Sequence, residues 1–368
     1  MLNDLISPMP TRQDQAELMN GKIVRSRNPL NLEMPFNQLD SFITPTESFY
    51  VRTHFPVPKI DKSKWRLRIE GEIENPFQLF YDDLLKIESR TVPVTLECAG
   101  NNRNFLRPEV KGFQWGLGAV GTAEWTGVPL SLILDRAGVK PAAQEVILEG
   151  VDGGTLEDPK SPPGPVKFAR SIPLAKARHD VLLVYRMNGR ELPPEHGYPV
   201  RAVVPGWYAV ASIKWLQRII VIAGDFNGYY QTIDYAYWRR DGDLARLTSL
   251  SELQVKAQIA NPSANETVAR DSVVPVRGAA WTSDGVITQV ELSADGGANW
   301  NPTRLIGTAT PGAWRLWQFD WHTPSQPGKQ ILIARATDSR GRTQPATRDR
   351  DRGTYMINHL LPVEVEVR

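Results

Sequence analysis

The sequence predicts an α+β domain followed by a β-sandwich, and three observations carry that prediction. The chain of 368 residues exceeds the roughly 250–300 residues at which a single hydrophobic core stops growing. Its texture changes near Ser249, where mixed strand and helix signals give way to short alternating strands at about ten-residue spacing. Glycine (28) and proline (29) together favour strands and turns over long helices.

In chain order, residues 1–45 read as a polar, extended lead-in, 46–248 as the mixed domain and 249–368 as the sandwich. In the mixed domain Trp65–Ile69, Thr91–Leu96, Val146–Leu148 and Val181–Tyr185 are strand runs, separated by turns such as Met187-Asn188-Gly189. Leu130–Ala137 has helical periodicity, with Pro129 at its first position. In the sandwich the strand runs are Val273–Ala280, Ile287–Ser293, Trp314–Trp321 and Gln330–Thr337. The bland reading of such an appended sandwich is a structural or dimerisation module.

Composition excludes much. With 43 Lys+Arg against 41 Asp+Glu the net charge is +2, so nucleic acid and anionic membranes are not expected partners. One cysteine rules out an internal disulfide framework, a four-cysteine zinc site and a CxxCH haem attachment in this chain. The most apolar stretch, Val200 to Trp215, is broken by Arg201, Pro205 and Lys214, so no membrane span is expected. The N-terminal residues lack the pattern of a signal peptide. The expectation is a cytoplasmic protein as written, or a periplasmic one if a signal has been removed.

Cys98 ends an apolar run and opens Ala99-Gly100-Asn101-Asn102-Arg103. Nearby cationic charge would favour the thiolate that ligates metal or attacks, but a single cysteine is as readily a small buried hydrophobe. The five histidines form no chelating motif. His54 shares a strand face with Arg52 by the period of two. Arg201 and Lys214, in the apolar run after His196, need either a bound anion or an acidic partner, since buried unpaired cations are costly. Gly116-Leu-Gly118-Ala-Val-Gly121 matches GxGxxG, but no long helix can follow it. Those glycines are expected to let a loop pack against something flat.

The segments FYVRTHFPVP (49–58), TLECAGNNR (95–103), KGFQWGLGAVGTAEWTGVPL (111–130), MNGRELPPEHGYPVRAVVPG (187–206) and ELSADGGANW (291–300) resemble the sulfite oxidase family of molybdenum enzymes. The resemblance implies a sulfite-oxidase-type molybdopterin-binding domain and an immunoglobulin-like dimerisation domain. By position, Cys98 matches the thiolate that ligates molybdenum, soft sulfur suiting a redox-active metal. Arg52, Arg103 and Arg352 match substrate-pocket arginines, whose guanidinium forks suit an oxyanion. Trp115 matches a pocket wall and Tyr235 a hydroxyl near the substrate. Phe49, Arg52, His54 and Asp152 are implied as cofactor contacts, and so are His196, Arg201, Ser212 and Lys214. The cofactor is molybdopterin without a nucleotide.

The implied reaction is oxidation of sulfite to sulfate by oxygen-atom transfer. No haem domain is expected in this chain, so electrons would pass to an external acceptor, a cytochrome c-type carrier or dioxygen. A homodimer through the sandwich is expected. The rival readings are another sulfur substrate, an S-oxide, N-oxide or nitrate reductase, and a non-catalytic scaffold on the same fold. Asn102 stands where many relatives carry arginine, which points to a changed pocket lining or electron-partner surface.

Overall fold

The structure is a computed structural model, and it describes residues 17–158 and 160–368. Three short α-helices, Tyr81–Leu84, Leu130–Ala137 and Leu174–His179, accompany strands that dominate both halves. Two larger sheets dominate the first half, beside a four-stranded sheet and a two-stranded ribbon among the described residues. One runs Val166–Pro173, Glu145–Gly154, Leu216–Ile222, Arg66–Gly71, Phe77–Phe80, with a single parallel pair between Leu216–Ile222 and Arg66–Gly71. The other is antiparallel and runs Arg190–Glu191, Leu182–Met187, Val120–Pro129, Arg90–Glu97. The helix Leu130–Ala137 buries Leu130, Ile133, Leu134 and Ala137, the i, i+3, i+4, i+7 set of an amphipathic stripe. Gly138 then ends it at φ +68. Pro129 stands just outside, as the N-cap, one position earlier than expected.

The expected extended lead-in to residue 45 is corrected by the structure. Residues 1–16 lie outside the described residues. From Leu18 onward the chain forms an antiparallel meander of Leu18–Met19, Lys22–Arg27, Leu30–Glu33 and Val51–Arg52. Its last pairing sets Asn31 opposite Arg52, so this segment positions a predicted site residue. The GxGxxG loop closes over the same sheet. The Gly116 and Gly118 amides donate to the Glu33 carboxylate at 3.0 and 2.9 Å. A Cβ on Gly118 would lie 1.7 Å from the Met34 carbonyl, and one on Gly121 would lie 2.8 Å from the Phe49 ring. The glycines thus cradle a protein carboxylate and a flat ring.

The second half is a sandwich of a four-stranded and a five-stranded sheet. Alternate residues Leu332, Ala334, Ala336 and Val363, Val365, Val367 point into its core beside Trp317. No helix among the described residues is long and apolar enough to cross a membrane.

The two halves are packed together, since Trp281, Trp314 and Met356 of the second join the hydrophobic cluster of the first. A buried ion pair lies at their junction. Lys256 Nζ donates to Glu97 Oε1 at 2.7 Å, and Trp281 Nε1 donates to Oε2 at 2.8 Å, with Asn101 Nδ2 adding 3.1 Å. Both charges are about 1% exposed. Removing one partner strands the other charge in a dry site. Lys256→Met is therefore expected to cost about 3–5 kcal/mol in urea unfolding, and adding Glu97→Gln should recover part of it. A loss below about 1 kcal/mol would show that the pair is not holding the halves together.

Candidate molybdenum-cofactor site

Cys98 follows directly on the Arg90–Glu97 strand, at the point where the chain leaves its sheet. The turn after it is held by the Asn101 amide on the Cys98 carbonyl (2.9 Å) and by Ala119 on Asn101 Oδ1 (3.1 Å). Met356, from the second half, donates its amide to the Ala99 carbonyl at 2.9 Å. Cys98 lines a cavity together with residues drawn from across the first half.

The structure brings most of the predicted set to that cavity. Phe49, Arg52, His54, Asp152, His196, Arg201, Ser212, Lys214 and Tyr235 all line it. Arg52 and His54 meet on one atom, the Tyr235 hydroxyl, with Arg52 Nη2 at 3.3 Å and His54 Nε2 at 2.6 Å. Tyr235 itself has φ +59, an uncommon conformation for an aromatic residue. Gly197, at φ +107, lets the loop after His196 turn against Arg201 and Lys214, where a Cβ would meet their Cβ atoms at 2.9 and 3.1 Å.

The cations of the cavity are held by carbonyls rather than by carboxylates. Arg201 donates to the main-chain carbonyls of His196 (3.0 Å) and Ser212 (3.1 Å) and lies 5.0 Å over the Trp125 ring. Lys214 donates to the carbonyls of Arg52 and Glu195, both at 2.9 Å. The Ser212 hydroxyl accepts from the Val204 amide at 3.0 Å. Of the two open readings for these cations, the acidic-partner one fails: neither has a carboxylate at ion-pair distance among the described residues. Burial pulls Arg201 down to about 10, far above neutrality, so it stays charged. Burial, with the neighbouring cations, pushes His54 and His196 well below the ordinary imidazole range. Burial raises the Asp152 carboxyl, against the pull of Lys214. For Cys98 burial raises the thiol, while Arg52 and Arg103 lower it. The expected cationic bias is present, but desolvation outweighs it.

Three predicted residues do not line the cavity. Trp115 is fully buried behind Tyr50 (6.5 Å, edge-on) and Phe113 (6.3 Å), so it backs the wall without forming it. Arg103 is anchored behind Cys98, donating to the carbonyls of Thr354 (3.1 Å) and Phe113 (3.0 Å). Its charge is still felt at Cys98. Arg352 is held by Asp349 at 3.2 Å and by Asn358 at 3.0 Å, because the acid three residues before it competes for the guanidinium. Asn102 is fully buried at φ +74 and bonds the Gly116 carbonyl, so it cannot form an electron-partner surface.

The structure also adds residues that the sequence did not reveal. Tyr355 stacks on Tyr235 at 5.0 Å, bonds Asp234 through its hydroxyl and faces the Arg103 guanidinium at 5.3 Å. Phe168 stacks on His54 at 4.3 Å. Neither carries a local signal, because each meets its partner more than a hundred residues away in the chain. Tyr50 lies within a quoted motif and lines the cavity beside Cys98.

Residues 54–230 match the oxidoreductase molybdopterin binding domain, and residues 248–367 match the Mo-co oxidoreductase dimerisation domain. Chicken sulfite oxidase is 35% identical over 347 residues, covering 88% of this chain and 73% of the relative. The chain belongs to the sulfite oxidase family of molybdopterin oxidoreductases. Rat mitochondrial sulfite oxidase is 36% identical over 345 residues, and this family member spans 61% of that relative's length. A tomato NADH nitrate reductase is 33% identical, with 38% of its length covered. Among solved structures, the sulfane dehydrogenase SoxCD of Paracoccus pantotrophus superposes with a TM-score of 0.81 at 29% identity. That match covers 96% of this chain and 92% of the other.

The residues present fit the cofactor of the family. A thiol, buried basic side chains and two buried polar atoms, His196 Nε2 and Asp152 Oδ1, surround one cavity, and among the described residues neither a counter-ion for the former nor a partner for the latter is present. The buried histidines also set a pH dependence for the cofactor-free protein. His54, His196 and His359 (pulled to about 4 by burial) bind protons less readily folded than unfolded. Their stability contribution is full above about 6.5 and is lost as the pH falls below it. Asp152 acts in the opposite sense, one group against three. The urea midpoint is expected to drop between pH 7.5 and 5.5; an unchanged or higher midpoint at pH 5.5 would contradict this assignment.

Proposed function

We propose that the protein oxidises sulfite to sulfate by oxygen-atom transfer and passes the electrons to an external acceptor. The observation that carries this reading is the convergence on one cavity of Cys98 and three basic side chains, Arg52, Arg201 and Lys214, none with a carboxylate at ion-pair distance among the described residues. Cys98 Sγ would ligate molybdenum, and Arg201 and Lys214 would hold the phosphate of a nucleotide-free molybdopterin. His196 and Asp152 would meet its polar edge. When bound, the molybdenum supplies the oxygen atom and takes up two electrons. Overall, sulfite and water would give sulfate, two protons and the two electrons that leave to the acceptor.

The residues of the chain do the rest. Arg52 faces the cavity and Arg103 backs it, and together they lower the cost of bringing a doubly charged oxyanion in. The Tyr235 hydroxyl, held between Arg52 and His54, orients that oxyanion. Burial raises the Tyr235 pKa, so the hydroxyl stays protonated. Neutral His54 shares a hydrogen bond with that hydroxyl through Nε2 at 2.6 Å. The sandwich would pair two copies into a homodimer, consistent with the dimerisation-domain match.

A second reading, oxidation of another sulfur compound, is favoured by the likeness to the sulfane dehydrogenase over 96% of the chain. Turnover of sulfite, a sulfane and nitrate with ferricyanide or cytochrome c separates the two, with sulfite expected to lead. Cys98→Ser should abolish both bound molybdenum and sulfite turnover in a folded protein. Arg52→Gln should keep the metal and raise the sulfite KM by about 10- to 100-fold, the scale of a charge-assisted hydrogen bond. A folded wild-type protein that binds no molybdenum would overturn the proposal.

A further inference from the structure

A third buried arginine, Arg170, lies outside the cavity. It sits on the Val166–Pro173 strand and is fully buried. No carboxylate meets it among the described residues. Its Nη1 donates to the carbonyls of Tyr230 (2.6 Å) and Tyr235 (3.5 Å), and its Nη2 donates to that of Leu250. These carbonyls bracket the segment that presents the Tyr235 side chain. That segment starts with a single π-helical turn, Tyr229–Ile233, and ends on Tyr235 at φ +59. Such backbone is costly and persists only where its surroundings over-determine it.

The same strand grips the turn at two further points. Phe168 packs on the Tyr230 ring at 4.5 Å, and the Ser171 amide donates to Gln231 Oε1 at 3.3 Å. The Leu250 amide in turn donates to the Tyr235 carbonyl at 2.9 Å. Arg170 therefore ties together the two carbonyls of a closed main-chain link, Tyr235 and Leu250. An unpaired buried guanidinium is expensive. What it secures here is the left-handed backbone at Tyr235, and with it the direction of the hydroxyl toward Arg52 and His54.

We propose that Arg170 is a positioning residue that holds Tyr235 in its substrate-facing conformation from behind the cavity wall. This rests on the reading of Tyr235 as the group that orients the oxyanion. The test uses the cofactor-loaded enzyme and the conservative Arg170→Lys, which keeps the charge but loses the planar fork. With an ångström-scale shift of the hydroxyl, kcat/KM for sulfite should fall about 10- to 100-fold. In a double-mutant cycle the same change on a Tyr235→Phe background should cost less than about 3-fold.

Hydrogen exchange provides a readout independent of turnover. The amides of 229–236 should exchange faster in Arg170→Lys, while those of 145–154 on the adjacent strand stay as in the wild type. Additive losses in the cycle, or unchanged exchange over 229–236, would overturn the proposal. If Tyr235→Phe alone leaves sulfite turnover intact, the functional reading of Tyr235 fails, and exchange still decides whether Arg170 holds the segment.

Discussion

The buried Glu97 carboxylate is the constraint on which the rest of the structure turns. It accepts from Lys256 and Trp281 of the sandwich and from Asn101 of the turn that follows Cys98. One group thereby joins the two halves and sets the direction in which the chain leaves the sheet at the thiol. Burying an ion pair rarely adds stability over an apolar pair, but it does penalise any arrangement that separates the partners. Here the penalised arrangements are those in which the sandwich shifts against the site. The Met356 amide on the Ala99 carbonyl and Tyr355 on Tyr235 extend the same coupling to the far side of the cavity.

The cavity follows a different electrostatic rule. Arg201 and Lys214 donate to main-chain carbonyls, which leave the positive charge of Arg201 uncancelled, while burial lowers the pKa of both groups, that of Lys214 to well below the ordinary lysine range. A carboxylate partner would have made the site more comfortable when empty and useless for an anion. The neighbouring histidines respond by staying neutral. At His54 the neutral ring meets the Tyr235 hydroxyl through Nε2. Burial first, and then the same cations, set the proton inventory of the cavity.

Much of this was legible before the structure. The strand runs and the Leu130–Ala137 helix follow from local periodicity, and the change near Ser249 follows from turn spacing. Cys98, His196, Arg201 and Lys214 were marked by incongruity, being reactive or charged groups in apolar text. What stayed hidden was whatever depends on distant partners. The meander of residues 18–52 looked like a lead-in because its strands are polar and draw their stability from the glycine loop that closes on Glu33. Arg352 matched a pocket arginine by family position, but in the fold Asp349, three residues before it, holds the guanidinium.

The sequence by itself determined the chemistry: one thiol, cations in an apolar run, a two-part chain and the motifs that carry its family. Residue type and spacing are local properties, and they survive without coordinates. The tertiary structure decided which of those groups share a cavity and which stand behind it. It also supplied Tyr355 and Phe168 as ring neighbours and gave Tyr235 its left-handed backbone. Those outcomes come from pairings between residues far apart in the chain, where the winner is set by burial and competing partners, and no short stretch of sequence records that competition.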